Sequence, residues 1–291
     1  MEIIMLTEKN KGIFFIILAA FFFSLMSLFV RLSGDIPSMQ KSFFRNAVAL
    51  VFATIILCKN HISFVPKRGN LLLLILRASF GTLGLFCNFY AIGKLPLSDA
   101  NMLNKLSPFF AIIFSFLLLK EKVAPYQVIC VISAFIGTLF ILRPGFDNMV
   151  TFPALIGLLG GLGAGIAYTM VRILSGRHEQ SAYIVFFFSA FSCLASLPFF
   201  LFSYTPMNLK QVGFLLLAGL AASGGQFSIT AAYSHAPAKE ISVYDYTQII
   251  FSSLWGILFL GEFPTTASII GYVIICGASV AMFLIRRKRE T

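Results

Sequence analysis

Four ionisable side chains interrupt long apolar runs in this chain: Arg45, Arg77, Lys105 and Asp245. A charge at the centre of a bilayer costs at least ~2.5–3.5 kcal/mol on insertion scales, so such residues turn toward a bundle interior or a water-filled cavity. Their types suit binding rather than bond making. Three cations against one acid fit a substrate carrying a carboxylate or other anionic group, zwitterions included. Lys105 or Arg77 would contact the anion, and Asp245 would contact an amine or exchange a proton. The plainer alternatives are that Arg45 and Arg77 snorkel to an interface and that Lys105 and Asp245 form a structural ion pair.

Helical spacing adds polar partners to these charges. Arg77, Gly81, Gly84 and Asn88 recur at i, i+4, i+7 and i+11, one stripe of a helix. Asn101 and Asn104 share the turn that holds Lys105. Tyr244, Asp245, Gln248 and Ser252 continue another polar face, and Ser223, Gln226, Thr230 and Tyr233 form a third. Tyr168 extends a Gly157, Gly161 and Gly165 stripe, with Gly160 and Gly163 beside it, and could face the same cavity. Small-xxx-small spacing permits close backbone approach, for static packing or for sliding. Ser24, Ser27, Ser189, Ser192 and Ser196 fit ordinary interhelical hydrogen bonds at ~1 kcal/mol each. Glu121 and Glu262 close apolar segments and read as interfacial anchors.

Other chemistries lack their residues. There is no GxxxxGK[ST] and no HExxH, so neither direct ATP drive nor a zincin-type metal site is expected. His61, His178 and His235 have no ligand spacing, and the five cysteines sit in apolar runs without a CxxC. No cofactor and no metal is expected. A lipid-modifying intramembrane enzyme would need a nucleophile or metal constellation at one interface, and the sequence offers none.

The elements that position these residues are membrane spans. Hydrophobic residues make up 58% of the chain and charged residues 11%, with mean hydropathy +0.91, against roughly 25% charged in soluble domains. The formal charge of +11 is then a topology signal before it is a nucleic-acid signal. Ten apolar segments run approximately over 12–31, 42–58, 70–92, 98–119, 124–142, 153–174, 181–203, 211–234, 241–260 and 266–285. The first lacks a small-residue cleavage site behind it and reads as a retained helix. Ten spans place both termini on one side. Lys59, Lys67, Arg68, Arg177 and the terminal Arg286–Arg289 block share that side, and the other holds only Arg31, Lys41, Lys94, Arg143 and Lys210. The positive-inside rule makes the richer side cytoplasmic.

The stretch 91–122 returns, without a gap, 141 residues later as 232–263. Pro96 falls on Pro237, Asp99 on Glu240, Phe110 on Phe251 and Glu121 on Glu262, and the same offset places Val30–Arg31 on Val171–Arg172. The chain is therefore two tandem repeats, 1–147 and 148–291, of five spans each. An odd number of spans inverts the second copy, and inverted repeats around a midplane site are a transporter signature.

Those residues carry a family resemblance. Ten helices in two five-helix repeats resemble the drug/metabolite transporter superfamily, EamA type. In that family each repeat ends with a helix closing on a Glu, a break, and a Gly-containing helix. Here these are FSFLLLKEK…YQVICVISAFIGTLFILRPG and SSLWGILFLGEFP…SIIGYVIICGASVAMFLIRR. Phe43-Phe44-Arg45 matches an aromatic-Arg motif in the family's second helix, and YTQIIFSSLWGILFLGEFP is similar to the branch containing S-adenosylmethionine carriers. The resemblance implies transport of a small molecule but not which one.

The expected protein is thus an all-α polytopic membrane protein of ten helices in two inverted five-helix repeats. Its expected work is secondary transport of a small polar anionic or zwitterionic metabolite, by alternating access, across a bacterial inner membrane, with cytoplasmic termini. Proton coupling and exchange both fit. A drug or organic-cation exporter of the same fold is the alternative within the class. Its partners would be the substrate and the bilayer, not nucleic acid; the oligomeric state stays open between monomer and homodimer.

Overall fold

Apolar segments of about 20 residues become helices in a bilayer because lipid offers the backbone no hydrogen bonds. The computed structural model describes residues 2–119, 124–142, 148–235 and 242–290. Glu121, the Arg143–Asp147 loop, Pro237, Lys239 and Glu240, together with the side chains of Arg172, Thr230 and Tyr233, lie outside the described set.

The first half comprises α1 (Glu2–Leu32), α2 (Ser38–Lys59), α3 (Leu71–Lys94), α4 (Leu97–Asn104), α5 (Ser107–Leu119) and α6 (Pro125–Leu142). The second comprises α7 (Asn148–Gly176), α8 (Ser181–Phe202), α9 (Leu209–His235), a 3₁₀ turn (Ser242–Tyr246), α10 (Thr247–Trp255), a π-helical turn (Gly256–Leu260) and α11 (Thr266–Glu290). Among the described residues seven helices are long and apolar enough to cross a membrane, and α6 is a shorter apolar one. The fourth segment of each half is divided into shorter helical pieces. Leu72, Leu83, Ile129, Ile132, Leu194 and Leu201 are exposed along the outer faces, which suits contact with lipid.

Packing between the halves follows their internal repeat. The most extensive contacts are α1 with α9 and α3 with α7. Exchanging each helix for its repeat equivalent converts the first pair into the second. The α2–α9 and α3–α8 contacts are related in the same way, as are α5–α7 and α1–α10. The α2–α8 and α6–α11 contacts map onto themselves. This pairing is what a two-fold relation between two five-helix halves requires.

The sequence reading treats 98–119 and 241–260 as unbroken spans, and here it is corrected. The first is broken, at Lys105–Leu106; in the second, at Tyr246–Thr247, a 3₁₀ turn passes directly into the α-helix without a gap. These are repeat-equivalent positions. In the first half Pro108 is the cause: it has no N–H and disfavours α geometry at Ser107. The chain tightens, so that the Leu106 N–H bonds the Leu103 carbonyl at 3.2 Å and the Phe109 N–H bonds the Leu106 carbonyl at 3.0 Å. The second half has Ile249 at the equivalent of Pro108, and opens with a 3₁₀ turn instead.

The glycine stripe of α7 packs against these elements. A Cβ on Gly161 would lie 2.5 Å from the Leu103 carbonyl oxygen, and one on Gly165 would lie 2.5 Å from Phe110 Cβ. Gly160 and Gly163 meet Gly84 of α3 backbone to backbone. Helix α7 therefore seats the broken helix against one face and α3 against another.

Candidate functional site

The break in the first half leaves the Lys105 carbonyl without its usual helical donor. The Tyr246 hydroxyl donates to it at 3.0 Å. The Lys105 ammonium, 8% exposed, donates to Asp245 Oδ2. Asp245 Oδ1 is buried and has no partner, so half of this carboxylate remains able to accept a proton or an N–H. The α4 C-terminus and the 3₁₀ turn thus place one cation and one anion together where one helix is interrupted and the other changes from 3₁₀ to α.

Beside this pair lies a saturated amide. Asn101 Oδ1 accepts from Ser27 Oγ at 2.9 Å and from Gln248 Nε2 at 3.1 Å. Its Nδ2 donates to the Leu97 carbonyl at 2.9 Å and to Ser252 Oγ at 3.0 Å. An amide offers two donors and two lone pairs, so Asn101 has no capacity left for a ligand in this state. Asn101 and Gln248, expected to bind substrate, instead tie α1, α4 and α10 together. Asn104 is half-buried at the end of α4. Tyr244 packs against the Ile16–Ala232 cluster of α1 and α9.

Arg77 and Gln226 meet elsewhere. They line a cavity of about 120 Å³ between α2, α3, α8 and α9, with Arg45, Phe188, Ser189 and Ser223 among the other lining residues. Arg45 is 8% exposed and donates to Asn46 Oδ1 at 2.6 Å. The Arg77 guanidinium lies 3.8 Å from the Phe188 ring centre and the Arg45 guanidinium 5.7 Å. Neither arginine has snorkelled to an interface. Arg45 is not among the binding residues expected from sequence, although its aromatic-Arg motif is the signal that points to it.

Tyr168, on α7, is 51% exposed and is not among the residues lining the arginine cavity. Asn88, on the same stripe as Arg77, does not line the arginine cavity. It sits at the α3–α7 crossing, 6% exposed, with its backbone against Gly160. A second buried acid lies in the first turn of α4. Asp99 is 3% exposed and accepts from the hydroxyls of Ser268 and Tyr272 on α11. Among the described residues no group of His, Cys, Asp and Glu could hold a metal ion.

Both ends of the bundle are latched between the halves. At one end Arg31 donates to Glu262 Oε1 at 2.5 Å and to the Ile92 carbonyl at 2.8 Å, while Glu262 Oε2 accepts the Leu97 N–H at 2.9 Å. Gly261, at φ +65°, turns the chain out of the π segment to present Glu262 there. At the other end Asn70 donates to Glu179 at 2.8 Å and Arg177 to the Gly69 carbonyl at 3.3 Å. Gln211, the repeat equivalent of Asn70, donates to the Ser33 carbonyl at 3.1 Å at the Arg31 end.

Known proteins share this organisation. The model of the EamA-like transporter family matches residues 10–143 and again 151–284. The pseudopaline exporter of Pseudomonas aeruginosa is 34% identical over 277 residues, spanning 94% of this chain and 96% of the relative. Human solute carrier family 35 member G1 is 26% identical, over 92% of this chain and 78% of its own. A riboflavin transporter of Brucella anthropi is 26% identical, over 88% and 90%. A solved crystal structure superposes with TM-score 0.66 over 97% of this chain and 99% of its own, at 17% identity, a likeness of fold alone.

Proposed function

The chain belongs to the EamA-like transporter family, and from that premise we propose that it is a secondary transporter of a small polar metabolite, anionic or zwitterionic, working by alternating access. Its relatives are named as transporters and exporters, not enzymes. It is a multi-pass membrane protein that moves a small molecule. The observation that carries the finer reading is a helix break in one half facing a 3₁₀-to-α transition in the other. The two fall at repeat-equivalent positions and bring Lys105 to Asp245, whose second oxygen is unpartnered. Interrupted helices at a repeat interface are where transporter folds hold substrates and coupling ions.

In this reading the halves 1–147 and 148–291 rock about their mutual contacts. The termini are cytoplasmic, so the Arg31–Glu262 latch faces outward and the Asn70–Glu179 latch inward. Asp245 binds an amine or a proton, and Lys105 an anionic group. Export is the favoured direction, by analogy with the relative named as an exporter.

Proteoliposomes test this directly. Zwitterionic and anionic metabolites should exchange across the membrane with wild-type protein and not with Asp245→Asn. An imposed pH gradient should drive net movement if Asp245 carries a proton, and only counter-substrate should do so if it does not. Absence of flux for every charged metabolite, with flux of neutral or purely cationic compounds, would refute the substrate class.

A further inference from the structure

The two arginines on the α2–α3 side of the cavity have an unusual balance of charge. Both are inside the membrane span, and among the described residues no carboxylate lies within salt-bridge distance of either; the two ion pairs seen there are Arg31–Glu262 and Lys105–Asp245. Arg45 Nε, Arg77 Nε and Arg77 Nη1 are buried without a hydrogen-bond partner, as is Ser189 Oγ on the facing wall. Leaving a charged donor buried and unpaired is costly. The Phe188 ring offsets part of that cost for Arg77 through its π face. Gly81 makes this resting place available: a Cβ there would lie 2.8 Å from Arg77 Nη1 and 3.1 Å from Phe188 Cε2.

Ser181, Ser223 and Gln226 also line the cavity, and the remainder of its wall is apolar. Ala49, Phe52, Ala53, Ile56, Val185 and Phe227 line it away from the guanidiniums. A volume near 120 Å³ is close to the roughly 150 Å³ in which an apolar cavity takes up benzene.

Resting on the transport reading above, we propose that Arg45 and Arg77 form a subsite for a planar carboxylate carried on a short apolar or aromatic stem. The carboxylate takes the free guanidinium donors and the Ser189 hydroxyl, drawing Arg77 off Phe188, and the stem fills the apolar part. A guanidinium fork matches a planar carboxylate with two parallel hydrogen bonds. The substrate then has two charged ends: a carboxylate at the arginines, and a second polar group that reaches Asp245 and Lys105.

Benzoate and its neutral isostere benzamide test this on the purified full chain in detergent, by equilibrium binding that requires no transport. Benzoate should bind, and benzamide at least tenfold more weakly. Arg45→Gln and Arg77→Gln should each weaken benzoate at least tenfold, while Lys210→Gln, a cation resting on Phe214 outside the cavity, should leave it unchanged. Arg77→Lys should recover part of the loss, because the charge returns without the planar fork. Cyclohexanecarboxylate should displace benzoate better than inorganic phosphate does. Equal binding of benzoate and benzamide would overturn the proposal without any variant being made. So would wild-type affinity in Arg77→Lys, or displacement by phosphate alone. Benzoate binding in a protein that carries no flux would leave the subsite standing and refute the transport reading; flux without benzoate binding would do the reverse.

Discussion

Tyr246 and Lys105 are repeat equivalents, 141 residues apart, and the hydroxyl of one donates to the backbone carbonyl of the other at 3.0 Å. The contact ties the break after α4 to the 3₁₀-to-α transition of the other half. It satisfies a carbonyl that the Pro108 break has released. Tyr246→Phe should leave that acceptor unpaired at a cost of roughly 1–3 kcal/mol. Lower thermal stability of the purified variant checks this, and an unchanged unfolding midpoint would mean that water or another donor takes the hydroxyl's place.

The Lys105–Asp245 pair separates a structural from a functional role. Asp245→Asn and Lys105→Met should each abolish flux with the protein still inserted, since each leaves one charge uncompensated. If the pair only balanced charge, the double neutral variant would regain flux, because removing both partners removes the penalty. Flux measured in that double variant decides, and the expected value is background.

Arg31 and Glu262 join the halves at one end of the bundle, with side chains 25% and 18% exposed. Glu262→Gln weakens a charge-assisted bond worth roughly 1.5–3 kcal/mol, so the opened form should rise about tenfold or more in population. A cysteine replacing Ala100, fully buried in α4, should react faster with a membrane-impermeant maleimide in the Glu262→Gln background. Equal rates in both backgrounds would deny the latch a gating role.

The α7 glycines differ in what surrounds them. Gly165→Val would press on Phe110 Cβ and on the Ser107 carbonyl, 2.9 Å from the added Cβ, and overpacking of this kind costs about 1–3 kcal/mol. Gly176→Ala meets nothing within 4 Å and should be neutral or slightly stabilising. Thermal unfolding of the two variants should diverge accordingly; similar midpoints would show that α7 moves aside freely.

Orientation is open to labelling. With cytoplasmic termini, a cysteine at Asn148 should be reached from outside intact cells, and one in the 60–69 loop should not. These measurements need a background without the five native cysteines. The reverse pattern would invert the assignment of both latches.

The sequence by itself determined the crossings and the repeat. Apolar length near 20 residues dictates a helix because lipid leaves the backbone no other partner, and the 141-residue offset was visible because equivalent positions keep equivalent residues. It also named Lys105, Asp245 and Arg77, because a charge in an apolar run stands out in one dimension. Even the break in the first half was legible in Pro108, although the span around it reads as continuous by hydropathy. Tertiary structure decided the rest. Ile249, at the equivalent of Pro108, gives no sign that the second segment opens with a 3₁₀ turn. Asn101 looks like a ligand in sequence, but its hydrogen bonds are used up by Ser27, Leu97, Ser252 and Gln248, a fact that depends on three helices at once. Asn88 shares a helical stripe with Arg77, yet close Gly84–Gly160 approach turns its end of the stripe into a packing surface. Arg45 joins Arg77 only because α8 carries Phe188 to both. A sequence shows which side chains must avoid lipid; which of them end with a free donor facing a cavity is fixed by what the neighbouring helices have already bonded.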